Sequence, residues 1–450
     1  MPKDNFIHDA LPTASVKDRL AFIAEVVAPT LAKGPLIRRP RAVGMAESLG
    51  LDSRAIRRML RLRETYGEGP LLVPMPGRLH AVVLSPEQAR RILRETPDPY
   101  SPATDEKRRA LSHFEPNVSL ISTGKERAER RRFNEQVLET SQPVHSMAAP
   151  ILAIVEEETR HLMDGAGGQL DWGRFIEGWY AMVRRIVLGQ GARDDETLTD
   201  LLANLRSRGN WVMLAQRRKG LIEELRQRVE AHLAQGEPGS LAQRIARLPK
   251  SADASPADQV IHYLFAFDPA GMATFRALAL LATHPAVLAE AREEQVGASG
   301  DRAMLPLHRA TILESLRLWP TTPVILRQAT RETEIGGGLL PKGANLIIYA
   351  PFLHRDPGLS FANRFTPELW LDADRGVRTT TDGPLALVPF SHGPGHCPAA
   401  DLVPMIGSNM VAGIVAARTP RLTDPRRLRP ELPLPGTLDN YTLAFDLLPA

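Results

Sequence analysis

The chain has 450 residues and carries 56 basic and 52 acidic side chains, a formal net charge of +4. Hydrophobic residues at 43% and charged residues at 24% are the composition of a folded globular protein, and they exclude a disordered or collagen-like chain. A nearly balanced charge with only 5% aromatic residues does not offer the basic cluster and aromatic platform of a nucleic-acid binder.

The length accommodates a substantial core, in one large domain or in two or three. No repeat, low-complexity tract or strong break divides it, so one unit over residues 1–450 is expected, with residues 1–60 as a helical and loop extension to a core of 61–450. The start, Met1-Pro2-Lys3-Asp4-Asn5, has no basic stretch followed by an apolar run, so no secretory signal is read there. The apolar run from Leu20 to Ala32 contains Glu25 and Pro29 and is shorter than the ~20 residues of a membrane span. A cytoplasmic protein is expected.

In chain order, the first ~65 residues read as helix and loop, with Asp52-Ser53 capping a helix through Arg63. Leu71-Leu72-Val73 and His80 to Leu84 read as a hairpin about a Pro/Gly turn at Gly77. Ser85-Pro86-Glu87 opens a helix with proline at its first position. Residues 124–140 form a charged helix with Arg127, Arg130, Arg131 and Arg132. Helices follow at about 147–164, 173–189, 195–205 and 217–235. A linker is read over 236–256, then a long apolar helix over 257–283 and another helix over 301–319. Strand runs around Gly336-Gly337-Gly338 occupy 323–350. A Gly/Pro loop covers 384–400, and a last helix begins beyond Cys397. The fold class is mainly α with small sheets near residues 75 and 340.

Cys397 is the single cysteine, which excludes intramolecular disulfides and multi-cysteine zinc or iron–sulfur sites and suits a reducing compartment. A lone cysteine is most often an inert core residue. This one lies in Pro389-Phe390-Ser391-His392-Gly393-Pro394-Gly395-His396-Cys397-Pro398-Ala399, a Gly/Pro-rich loop running into a helix. A thiol at a helix N-terminus is biased toward thiolate, and loop glycines let a flat ligand approach the backbone. A thiolate with one open face suits the iron of a porphyrin.

On these residues the chain resembles the cytochrome P450 family, whose cysteine loop is Phe-x-x-Gly-x-x-x-Cys-x-Gly. Phe390, Gly393 and Cys397 keep the spacing, Ala399 replaces the second glycine, and Gly395 replaces a basic residue. Glu314-Ser315-Leu316-Arg317 matches the family's buried Glu-x-x-Arg pair. Its third partner, normally an arginine, is Leu369 in Phe365-Thr366-Pro367-Glu368-Leu369-Trp370. Leu340-Pro341-Lys342-Gly343 and His354-Arg355-Asp356-Pro357 match further landmarks. The resemblance implies the P450 fold, with haem b between a long central helix and the cysteine loop. It implies Cys397 as axial iron ligand, with Arg127, Arg131, Arg327 and His396 beside the haem propionates, where guanidinium forks suit carboxylates. Phe390 and Gly393 shape the loop.

The family's central helix carries an acid–Thr pair that delivers protons to bound dioxygen. Two registers fit. Ala270-Gly271-Met272-Ala273-Thr274 keeps the threonine and loses the acid. Phe265-Ala266-Phe267-Asp268-Pro269 keeps the acid and has proline at the threonine. Counting back from the closing run Leu280 to Pro285 favours the second, with Asp268 and Pro269 at the oxygen site. Proline there removes a backbone donor and leaves the Phe265 carbonyl without its helix partner. A relay must then use Asp268, ordered water or a substrate hydroxyl.

The resemblance implies an oxidoreductase that inserts oxygen into, or oxidatively couples, a small apolar or natural-product-like molecule of secondary metabolism. The alternatives are a P450-fold peroxygenase or non-oxygenating haem enzyme, and, from another class, a haem-binding sensor without turnover. Pocket walls are expected from Phe265, Phe267, Thr322 and Val324, the loop 102–121, and a turn near Thr442 and Leu443. No Gly-x-Gly-x-x-Gly element follows a strand, so electrons are expected from a separate ferredoxin and its reductase. The expected protein is a monomer that binds neither nucleic acid nor membrane.

Overall fold

Prolines set where the main helices begin. In the computed structural model, which describes residues 10–75, 77–211, 216–249, 251–297, 302–372, 377 and 386–449, the helices Pro40–Ser48, Pro86–Arg94, Pro256–Thr283, Pro285–Gly297 and Pro306–Leu318 each open on a proline. The ring fixes a helical φ and sacrifices only an N–H that has no partner at a helix start. The predicted beginning at residue 301 and the first two residues of the predicted loop at 384–400 lie outside the described residues.

The central helix, Pro256–Thr283, is 28 residues long and continues through Pro269. Ala252–Thr283 is long and apolar enough to cross a membrane by composition, but 83% of its apolar window is buried inside the protein. It packs on the helix Trp172–Leu188, where Phe175 stacks on Trp179 with ring centroids 5.9 Å apart. Gly271 is needed there, since a Cβ would lie 3.0 Å from the Trp179 ring. On another side it meets the last helix, Leu402–Ala417, so closely that a Cβ at Gly407 would stand 2.7 Å from Thr274 Oγ1.

The strands are β1 (Leu71–Met75), β2 (Arg78–Val82), β3 (Tyr100–Ser101), β4 (Gln169–Asp171), β5 (Val324–Ala329), β6 (Thr333–Ile335), β7 (Gly338–Leu340), β8 (Asn345–Tyr349), β9 (Arg418–Leu422) and β10 (Ala444–Pro449). Small sheets are expected near residues 75 and 340: residue 340 lies in a separate hairpin of β6 and β7, while the flanking β5 and β8 join the strands near residue 75 in one five-stranded sheet, β1-β2-β8-β5-β3, because β2 pairs parallel with β8. A three-stranded sheet, β4-β10-β9, and the β6–β7 hairpin complete the strands. The first sheet shares a core with the N-terminal helices, through Phe22, Val26, Met59, Leu71, Val73 and Ile347.

Three local readings are corrected. The linker read over 236–256 contains a helix, Leu241–Arg247, capped by Ser240 Oγ accepting from Gln243 N–H. Its buried Leu241, Ala242 and Ile245 are too short a run to stand out between glycines. The helix predicted to be capped by Asp52-Ser53 runs Leu51–Tyr66 from a left-handed Gly50. Asp52 instead accepts from Lys33 and Thr437. The last helix begins at Leu402, not directly after Cys397, because a turn intervenes.

Glu314 and Arg317, on the helix Pro306–Leu318, are completely buried. Arg317 donates to both carboxylate oxygens of Glu314, at 2.6 and 2.7 Å. It also donates to the carbonyls of His354, Phe361, Ala362 and Arg364. With Leu369 at the third position, Glu314 is completed differently: it accepts the Thr366 backbone N–H at 2.7 Å and the Trp370 indole N–H at 2.9 Å. Leu369 packs at the edge of a small cluster of Ala310, Leu313, Trp370 and Leu387. Trp370→Phe keeps most of the ring volume and leaves a buried carboxylate one donor short. It should cost about 1–3 kcal/mol, read as a lower urea midpoint at constant m-value. An unchanged midpoint would show that the indole N–H carries no weight.

Candidate haem site

The cysteine loop is a tight backbone turn. Cys397 N–H donates to the Phe390 carbonyl at 2.9 Å and His396 N–H to Gly393 at 2.8 Å. Gly393 has φ +64°, and a Cβ there would lie 2.5 Å from the Leu93 carbonyl, so the loop closes on the helix Pro86–Arg94 only with glycine. Beyond Cys397, Ala400 N–H donates to the Cys397 carbonyl and Val403 N–H to Ala399. The thiol is therefore a turn away from the helix terminus. Burial pushes it upward, and the Ala399 backbone N–H acts in the opposite direction. The helix-terminus bias expected from the sequence is outweighed by burial.

Three guanidinium groups from two distant elements converge on this loop. Arg131 Nη1 donates to the His396 carbonyl at 2.5 Å, and Arg127 Nη2 to Pro394 at 3.2 Å, both from the helix Gly124–Leu138. Arg327, from β5, donates Nε to Thr96 Oγ1 at 2.9 Å and Nη2 to Ser391 Oγ at 3.3 Å. Gly395 makes this possible: a Cβ there would stand 2.7 Å from Arg327 Nη2. The sequence loses a basic residue at 395, and the space is used by an arginine from another strand.

The charges around the loop are one-sided. Among the described residues Arg127 and Arg327 have no carboxylate within ion-pair distance, whereas Arg131 is paired with Glu135 at 2.6 Å. Burial, then the neighbouring Arg127, pulls Arg327 down to about 10. His396 Nε2 is buried without a hydrogen-bond partner. Burial, then Arg131, pulls that imidazole down to about 4, so it is neutral. Buried cations without counter-ions are costly. A group that brings carboxylates beside the Cys397 thiol relieves this cost, and haem with its two propionates is such a group. Phe390 is half-buried between the main core and the Trp370 cluster.

On the central helix, Asp268 is 6% exposed and accepts from Arg206 Nη2 at 2.5 Å. Arg206, from the helix Glu196–Gly209, also donates to the Leu36 carbonyl and lies 4.8 Å over the Phe265 ring. Burial, then the Asp268 charge, pushes the Tyr180 hydroxyl upward. Thr274, the alternative in the other register, spends its hydroxyl on the Ala270 carbonyl and faces Gly407 of the last helix. Near Pro269, the Trp179 indole N–H donates to the Phe267 carbonyl at 2.8 Å.

The expected pocket walls separate. Phe265 is half-buried and meets Phe114 edge-on at 5.4 Å, bringing the 102–121 segment onto the central helix. Glu115 of that segment pairs with His262 at 2.9 Å. Phe267 packs into the core near Trp179. Thr322 is exposed, Val324 packs beside the five-stranded sheet, Leu443 is buried in the core, and Thr442 donates to Asp439 Oδ2. Arg206, Tyr180, Arg38 and Arg276 were not singled out in the sequence. Arg206 sits on an ordinary amphipathic helix, where a core-facing arginine reads as a surface one.

Residues 252–402 match the family model of cytochrome P450. Over 161 residues, 33% of this chain and 31% of the relative, the chain is 31% identical to 2-hydroxyisoflavanone synthase of Glycine max. Over 194 residues, 41% of this chain and 39% of the relative, it is 31% identical to cyclooctat-9-en-7-ol 5-monooxygenase of Streptomyces melanosporofaciens. The matched part therefore spans less than two-fifths of each of these relatives. The retinoic acid-bound structure of cyanobacterial CYP120A1 superposes with a TM-score of 0.68 at 17% identity, covering 87% of this chain and 94% of that one. The buried Glu314–Arg317 pair, the Cys397 loop under three arginines and these likenesses agree: the chain has the fold of the cytochrome P450s, and its residues 252–402 match that family, whose cofactor is haem held by a cysteine thiolate.

Proposed function

We propose that the chain is a haem-thiolate monooxygenase acting on a small, mainly apolar molecule of the natural-product kind. The observation that carries this is the convergence of Arg127, Arg131 and Arg327 on the loop that presents Cys397. Cys397 Sγ would hold the haem iron, with the Ala399 N–H directed at the sulfur. Arg327 and Arg127 would take the propionates, since neither has a carboxylate of its own, and Arg131 would join them from its bond to the His396 carbonyl. When bound, haem supplies the electron transfer and oxygen chemistry that no side chain of the protein offers.

The chain's own contribution on the other face is unusual. Pro269 has neither a hydroxyl nor an N–H, so it positions the helix and moves no proton. Asp268 Oδ2 can accept or release a proton only by giving up part of its hold on Arg206. Proton delivery then falls to ordered water or to a hydroxyl of the substrate, with Asp268 next to Pro269 in the sequence. Phe265 and Phe114 close an apolar wall beside it. The relatives named above include an isoflavanone synthase and a cyclooctatenol monooxygenase, in keeping with an apolar natural-product substrate. Electrons would come from separate proteins, a ferredoxin and its reductase in the cytoplasm. Pro269 also favours a second reading, a peroxide-driven enzyme that needs no relay.

In the reduced, carbon monoxide-bound protein, Cys397→Ala should eliminate the thiolate-type absorption band. Persistence of that band would end the reading. For the helix, the reduced holoprotein mixed with dioxygen should form an oxy complex, and Pro269→Thr should change its lifetime and peroxide yield at least threefold. Identical decay in both proteins would place Pro269 away from the oxygen site. A native protein that forms no oxy complex but turns over with peroxide would establish the second reading.

A further inference from the structure

A second group of buried cations lies where the N-terminal segment meets the central helix and the C-terminal loop. A cavity there is lined by Lys33, Arg38, Asp52, Arg276, Asn440 and Tyr441. Arg276 is on the central helix, seven residues beyond Pro269 and on the same face as Met272, which also lines the cavity. Thr321 and Pro323, at its edge, precede β5, which carries Arg327. The cavity thus shares the central helix with the proposed oxygen side of the haem site and borders the segment that leads into β5.

Its charges do not balance. Lys33 and Asp52 pair at 2.5 Å and neutralise each other. Arg206 and Asp268, nearby, do the same. Arg38 donates to the carbonyls of Gly34 and Thr321. Arg276 donates to the Trp319 carbonyl at 3.3 Å and to Asn440 Oδ1 at 3.0 Å. Neither guanidinium has a carboxylate within ion-pair distance among the described residues. Asp439 is spoken for by the Tyr441 N–H and the Thr442 hydroxyl, and burial pushes it toward the neutral acid.

Two donors remain unused. Arg276 Nε and Asn440 Nδ2 are buried with no hydrogen-bond partner, Arg276 being 7% exposed and Asn440 fully buried. The same protein shows what a structural arginine looks like. Arg317 has Glu314 and four carbonyls, and Arg355 has Asn363 and three carbonyls. Arg276 has two acceptors, one of them long. Burial pulls its guanidinium down to about 10, as it pulls Arg355 down to about 9, so the hydrogen bonds and not the shift set the two apart. An unpartnered buried Nε also occurs on Arg185 and Arg206, but those two are ion-paired; at Arg276 and Arg38 the carboxylate is missing as well, which leaves a place for an anion.

We propose that this cavity is a carboxylate-binding subsite, in which Arg276, Arg38 and Asn440 Nδ2 hold the carboxylate of an otherwise apolar substrate. This rests on the monooxygenase reading and adds the charge class of its substrate. A mono-anion fits because the surplus is one to two positive charges, depending on Asp439. A planar carboxylate matches guanidinium forks.

The test uses the native holoprotein and three matched pairs of probes at equal ionic strength: acetate and acetamide, benzoate and benzamide, dodecanoate and dodecanamide. Calorimetry and thermal midpoints read binding without turnover. At least one acid should bind tenfold or more tightly than its amide. Arg276→Gln and, separately, Arg38→Gln should each remove that preference. The unliganded Arg276→Gln protein should melt no lower than the native one, since an unpaired buried charge has been removed. The inference is overturned if no acid exceeds its amide by threefold, or if the preference survives in both variants. If Arg276→Gln fails to fold, Arg276 is a structural bolt and the inference falls on that ground too. The carbon monoxide spectrum separates this from the monooxygenase reading: loss of the acid preference with the thiolate band intact defeats the subsite alone.

Discussion

A guanidinium group can be buried only if its donors find acceptors and its charge finds a partner. In this protein the Glu314–Arg317 pair meets that condition completely, and the haem side of the fold is assembled on it. Its acceptors are carbonyls of the 354–364 segment, and its acid is held by Thr366 and Trp370. One buried ion pair thereby pins the helix Pro306–Leu318 to a long irregular stretch. His354, in that stretch, accepts the Val388 N–H two residues before Phe390. The cysteine loop starts from a backbone fixed in this way, which a loop of glycine and proline could not fix for itself. Replacing the usual third arginine by Leu369 changes the chemistry of the bolt without loosening it, because a neighbouring indole N–H does the work of a cation.

Measured against that pair, the other buried arginines sort into two kinds. Arg355 is satisfied by neutral acceptors and acts as a strut. Arg327 and Arg276 fall short of Arg317: neither has a carboxylate within ion-pair distance among the described residues, and the Arg276 Nε has no hydrogen-bond partner among them, while burial draws Arg327, Arg276 and Arg355 all downward. A fold that can complete Arg317 so fully has no structural need to leave these two short. Their positions give the reason. Arg327 borders the cysteine loop, and Arg276 lies along the central helix from Pro269. On the proposed readings both places are anion sites, and an uncompensated guanidinium there is a preorganised half of each.

What could be read from the sequence was local. The Cys397 loop is legible because its function depends on backbone turns that only particular residues at fixed spacing can make, Gly393 above all. Helix starts are legible because proline marks them. Features created by distant pairing are not. The parallel contact of β2 with β8 joins segments about 265 residues apart, so the sheet reads as two. Trp370 as a donor to Glu314 is invisible because tryptophan in a sequence reads as core volume. Arg206 is unreadable for a related reason: on an isolated helix it is a surface cation, and only the packing of Phe265 and Asp268 against it makes it an interior one.

The central helix shows how these constraints meet at the reaction. On the proposed register Pro269 stands where the family's threonine hydroxyl would be, and the neighbouring Asp268 is engaged by Arg206. The reading thus leaves few side-chain groups of the chain free to carry a proton there. If the substrate is a carboxylate held by Arg276, two helical turns along the same face, its anion adds a negative charge near Arg38 and Tyr441, which already feel the field of Asp268. On that reading the substrate's own charge completes a cavity whose guanidinium groups the protein leaves without carboxylates, as haem propionates would complete the arginines at the Cys397 loop.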